Sequence, residues 1–124
     1  MKQNISTHTI RVFVNEENHY GNPVGIIEDE KQKLDKKQKQ EIAARLNYSE
    51  TVFIENFQLG EVDIYNPIRP VKFAGHALVG TAYFMNEVKK RKVDHLISAG
   101  EKIPVVKNKF TWIIGSLAIT PSWN

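Results

Sequence analysis

The sequence predicts an α+β domain in which a strongly curved mixed or antiparallel sheet wraps a central buried helix. Three observations carry that expectation. Six to eight short runs alternate or stay apolar like strands, one amphipathic segment reads as a surface helix, and one segment is apolar all round. A helix with no polar face must be enclosed, and a doubly wound sheet would need helices between most strands.

Taken in order, Thr9 to Val14 alternates, with Ile10, Val12 and Val14 on one face and Arg11 and Phe13 on the other. After Gly21-Asn22-Pro23, a turn signal, Val24 to Ile27 reads as a second strand paired with the first. From Leu34 the period changes: Leu34, Gln38, Ile42 and Leu46 recur every four residues beside Ala43, which predicts a surface helix ending near Asn47. Thr51 to Ile54 and Val62 to Tyr65 form an expected hairpin around Gly60. The segment from His76 to about Val88 is the enclosed helix, with Leu78, Val79, Ala82, Phe84 and Met85 buried. It is too short for a membrane span, which needs about 20 apolar residues. Leu96 to Ser98, Lys102 to Val106, Phe110 to Ile114 and Leu117 to Ile119 read as further strands, with Gly100 and Asn108 at turns.

A chain of 124 residues suits one domain with a single core. Its 41% hydrophobic and 25% charged content is that of an ordinary globular protein. Net charge is +3, drawn largely from Lys31, Lys33, Lys36, Lys37 and Lys39 and from Lys89, Lys90, Arg91 and Lys92. Both stretches adjoin apolar periodic segments and read as solvated helix faces. No helix-turn-helix, zinc-finger or RNP-like pattern accompanies them, so a nucleic-acid module would rest on the pI near 9.1 alone. There is no cysteine, which excludes disulfides, thiolate metal sites and thiol nucleophiles. The N-terminus has no apolar signal segment, so a cytoplasmic location is expected.

Three segments carry candidate chemistry. Ala74-Gly75-His76-Ala77-Leu78-Val79-Gly80-Thr81 opens the enclosed helix, where Gly75 permits close backbone approach and unpaired N–H groups attract carboxylate or phosphate. The glycine spacing resembles a P-loop, but Thr81-Ala82 stands where Lys and Ser/Thr are required. For His76 two readings stand: an imidazole that caps the helix or fills a polar gap, and one that meets a ligand. His8, His19, His76 and His95 have no metal-ligand spacing, so no metal is expected.

Glu50, in Asn47-Tyr48-Ser49-Glu50-Thr51-Val52-Phe53, sits beside an apolar run. It is either an ordinary surface carboxylate at a strand start or one whose pKa is raised toward the range useful for proton transfer. Gly21-Asn22-Pro23-Val24-Gly25 alone is a turn.

In combination, Val12 through Gly21-Asn22-Pro23, then Leu46 to Phe53, then Pro70-Val71-Lys72-Phe73-Ala74-Gly75-His76-Ala77-Leu78-Val79-Gly80-Thr81-Ala82 resembles the phenazine biosynthesis PhzF-like family, of the diaminopimelate epimerase-like fold. Ser98-Ala99-Gly100-Glu101-Lys102-Ile103-Pro104-Val105 is similar to the strand pair that follows there. The resemblance implies two similar halves, each a curved sheet around a central helix, with the site in the cleft between them. This chain, 1–124, resembles the N-terminal half as a single domain, with the C-terminal half and its Asp absent. It implies Glu50 as the residue that moves a proton on substrate carbon. Gly75 and His76 are implied substrate contacts, facing the same concave surface as Glu50, and Ser49 and Asn22 are weaker ones.

The thiol mechanism of diaminopimelate epimerase and proline racemase is unavailable without cysteine. The implied function is a cofactor-independent isomerase of a small carboxylate-bearing metabolite. The alternative is a catalytically silent half-domain that binds a ligand or self-associates. The expected partners are a small-molecule substrate and either a second copy, as a homodimer, or the missing half. Neither nucleic acid nor membrane is expected.

Overall fold

The computed structural model describes residues 6–12, 22–108, 111–114 and 117–119, with side chains described for 6–12 and 23–106. The α+β class holds. Strand β1 (Thr7–Val12) pairs antiparallel with β2 (Asn22–Glu28), Val12 opposite Asn22 and Thr7 opposite Ile27. Helix α1 (Lys36–Leu46) then crosses over to β3 (Glu50–Asn56), which lies parallel to β2. Strand β4 (Glu61–Tyr65) closes the expected hairpin with β3, with a bulge between Ile54 and Asn56.

The far edge of β4 is shared. Its end at Ile64 and Tyr65 pairs with the short β5 (Pro70–Val71), and its start at Glu61 and Val62 pairs in parallel with β6 (His95–Ser98). Helix α2 (Gly75–Tyr83) and a π-helical turn (Phe84–Val88) make that crossover. Strands β7 (Glu101–Asn108), β8 (Thr111–Ile114) and β9 (Leu117–Ile119) follow as antiparallel neighbours. Seven strands, β1 to β7, make the mixed sheet, and β8 and β9 continue from β7.

The pleat decides which residues meet which helix, because successive side chains point to opposite faces. Ile10, Val12, Val24, Ile26, Val52, Ile54, Val62 and Ile64 face α2 and build the larger core with Leu78, Val79, Ala82, Phe84 and Met85. Each of those five α2-side residues is 0% exposed, as the all-apolar pattern requires. Ile27, Phe53 and Tyr65 face the other way, onto Leu34 and Ala43. Helix α2 touches β1, β2 and β3 and also β8 and β9, so strands from both ends of the order cover it.

Several expectations are corrected. The strong curvature of the sheet is not confirmed: the sheet does not close, its strand order running from β1 to β9 among the described residues, and its two faces are covered by different helices. The first strand begins earlier than expected, and Phe13 and Val14 lie outside the described residues, as does Phe110. Asn108 ends β7 and pairs with Thr111 of β8, so it marks the reversal between these two strands as expected. Helix α1 starts after Leu34, because Asp35 caps it. The Asp35 carboxylate accepts from the Gln38 backbone N–H at 2.8 Å and Gln38 Oε1 accepts from the Asp35 N–H at 2.9 Å. Asn47 ends it in the left-handed region, φ 54.

The buried stripe of α1 therefore runs Lys39, Ile42, Ala43, Leu46, and Gln38 faces solvent. Lys39, expected on a solvated face, is only 6% exposed. Its Nζ lies 3.0 Å from Asp63 and 3.6 Å from Glu55, carboxylates on the same sheet face, which compensate its desolvation. The basic residues 89–92 are exposed but follow the helical segment rather than lying on it. Lys89 reaches Glu28 at 3.1 Å, and the Arg91 guanidinium stacks on Phe57.

Candidate active site

Glu50 is the first residue of β3 and shares the pleat face of Val52 and Ile54, the face that α2 covers. Its neighbour across the parallel pairing is Val24. The position follows from sequence: Asn47 stops α1, Tyr48 and Ser49 make the bend, and β-branched residues begin the strand at once. Tyr48 is fixed there, its hydroxyl 3.2 Å from Thr9 Oγ1 on β1.

Burial against this apolar face pushes the Glu50 carboxyl above its ordinary pKa, and the charge of nearby His76 partly pulls it back. His76 is the second residue of α2. The strand start and the helix start thus lie on the same side of the sheet, near enough for the charge of His76 to act on the Glu50 carboxyl. His76 is half-buried, and its Nε2 is buried with no hydrogen-bond partner among the described residues. A buried imidazole nitrogen without a partner is uncommon and asks for one.

Gly75, first residue of α2, is buried, and Ala74 before it offers no side-chain cap. The first N–H groups of α2 therefore have no side chain to bond them from the cap position. Ser49 is exposed beside Glu50. The backbone of Asn22 begins β2 opposite Val12, two residues before the partner of Glu50, and its side chain lies outside the described residues.

Two features were not foreseen. Thr51 Oγ1 is buried on the α1 side of β3 without a hydrogen-bond partner among the described residues; in sequence a Thr there is simply a good strand residue. Ile68 and Phe73, 76% and 51% exposed, stand apolar in water just before α2; an isolated Ile and Phe in a loop carry no periodicity to reveal this. Among the described residues no group of three or more His, Asp or Glu side chains could hold a metal. No described helix is long and apolar enough to cross a membrane.

The structure matches a phenazine biosynthesis protein of the PhzF family from Enterococcus faecalis, with 26% identity and TM-score 0.72 over 86% of this chain and 41% of that one. It also matches a Bacillus anthracis protein of the same family, at 22% identity and TM-score 0.69 over 90% and 40% of the respective chains. A Pseudomonas aeruginosa protein described as a predicted epimerase matches with 22% identity and TM-score 0.64 over 86% and 40%. The chain spans about two fifths of the length of these structures. The model of the phenazine biosynthesis-like protein family, PhzC-PhzF, matches residues 10–109, and the chain belongs to that family.

Proposed function

We propose that this chain provides the proton-transferring half of a cofactor-independent isomerase or epimerase acting on a small carboxylate-bearing metabolite. Glu50 takes and returns the proton on substrate carbon. His76 and the N-terminus of α2, approached through Gly75, hold or polarise the substrate carboxylate, with Ser49 and Asn22 at the margin.

One observation carries this reading: a carboxyl raised by burial beside an imidazole whose buried nitrogen has no partner. Family membership supports the reaction class, and the epimerase description of one structural neighbour is in keeping with it. A full site needs two groups with different proton affinities, and among the described residues this reading assigns proton transfer to Glu50 alone, so slow turnover is expected of the chain by itself.

The test is a titration with small carboxylic acids followed by NMR at the His76 ring. Saturable shifts at His76 that weaken in Glu50→Gln or His76→Ala are expected. Titration without any response at His76 would remove the substrate role given to it.

A second reading is a silent half-domain that covers its exposed face by pairing with another copy or with the remainder of the two-half fold. Ile68 and Phe73, apolar and exposed beside α2, favour it. Light scattering decides: a dimer or larger is expected, and a clean monomer would refute self-association.

A further inference from the structure

Away from Glu50, at the other end of β3, lies a cavity of about 400 Å³. That is within the roughly 300–1,000 Å³ typical of small-molecule sites. One wall is Gln58 and Leu59, from the β3–β4 turn, and the other is Lys92 to His95, the chain that leaves the π-helical turn. Seven residues of β3 at roughly 3.3 Å each put this cavity on the order of 20 Å from Glu50, so it is a separate place.

Its walls are fixed by the backbone around them. Asn86, which also lines the cavity, donates from Nδ2 to the Ala82 carbonyl at 2.7 Å and accepts from the Val93 N–H at 3.1 Å. The Asp94 carbonyl accepts from Val105 N–H at 2.9 Å, and the Gly60 carbonyl accepts from Ile97 N–H at 2.7 Å. The two walls are thereby tied to one frame before any ligand arrives, which lowers the entropic cost of binding.

The lining chemistry has two signs. Lys92 is exposed and has no ion pair or hydrogen bond among the described residues. Asp94 uses one carboxylate oxygen, Oδ1, to accept from His95 Nδ1 at 2.6 Å and presents the other to solvent. That hydrogen bond, with the imidazole's charge, holds the Asp94 carboxyl below its usual range and therefore ionised. Leu59, 51% exposed, and Val93 add apolar surface. A simple anion would be attracted by Lys92 and repelled by Asp94, and a simple cation the reverse. A dipolar molecule meets both.

We propose that this cavity binds a small zwitterion of the α-amino acid class. Its carboxylate pairs with Lys92, its ammonium with the free oxygen of Asp94, and its apolar side chain lies on Leu59 and Val93. The site is independent of the reading given to Glu50.

NMR titration of the whole chain with L-leucine tests it. The expected result is saturable shifts at Leu59 and at Lys92 to His95, weakened at least about tenfold in Lys92→Ala and in Asp94→Asn. Acetate and butylamine, each carrying one of the two charges, should bind at least about tenfold more weakly than leucine. Both substituted residues are exposed, so the variants should melt like the parent, and the comparison is one of binding. Absence of saturable shifts, shifts confined to Glu50 and His76, or acetate binding as well as leucine would each overturn the proposal.

Discussion

Gly60 and Gly100 offer a controlled comparison of backbone strain with steric overlap. Both have left-handed backbone, φ +74 and φ +80. An alanine at Gly100 would meet nothing within 4 Å, whereas at Gly60 its Cβ would stand 2.6 Å from the carbonyl oxygen of His95. The left-handed conformation alone costs an L-residue roughly 1–2 kcal/mol, which is the whole effect expected for Gly100→Ala. Overpacking adds roughly 1–3 kcal/mol more at Gly60, because the clash is with backbone in the β6 strand that pairs with β4.

Gly60→Ala should therefore destabilise by about 2–5 kcal/mol in total. For a domain of this size each kcal/mol lowers Tm by roughly 3–6 °C. Urea unfolding of the two variants is the assay. Equal losses for both would refute the close approach of the β3–β4 turn to His95, which also frames the proposed zwitterion site.

Two more outcomes follow from the charged groups. Lys39→Ala leaves the part-exposed carboxylates of Asp63 and Glu55 without their buried partner and should cost about 1–3 kcal/mol, while Lys39→Met, which refills the volume, should still lose stability because those two anions remain; urea midpoints measure both. The raised carboxyl of Glu50 makes folding more favourable when it is protonated, so that contribution is present below the ordinary carboxylate pKa and is lost as pH rises through the folded pKa. Glu50→Gln should thus be more stable than the parent at pH 7, with the difference shrinking as pH falls; a Gln variant less stable at neutral pH would contradict burial of a charged Glu50.

Much of the fold is legible because its signals are local. The β1–β2 and β3–β4 hairpins show as short alternating runs around turn residues, and α2 shows as a segment without polar residues. What is hidden is long-range. The parallel pairings of β2 with β3 and of β4 with β6 depend on crossovers, and no local pattern distinguishes a parallel from an antiparallel partner. The stripe of α1 was misplaced because Lys39 occupies a buried position that a hydrophobicity pattern assigns to an apolar residue. Its partners Asp63 and Glu55 lie far along the chain. The pair Glu50 and His76 is visible only as two motifs; their proximity depends on α2 starting on the pleat face of Val52, which sequence alone does not fix. Asn22 and Ser49 gain no further support, the first because its side chain is outside the described residues and the second because it is exposed.

The central claim is that Glu50 moves a proton on and off carbon. The direct measurement is exchange of substrate C–H protons with deuterated solvent, across a panel of hydroxy and amino acids, for the parent and for Glu50→Gln. Slow exchange is expected for the parent, falling by roughly 100-fold or more in the variant, the usual range for loss of a general acid/base being about 10²–10⁴. Exchange that persists undiminished in Glu50→Gln would contradict it.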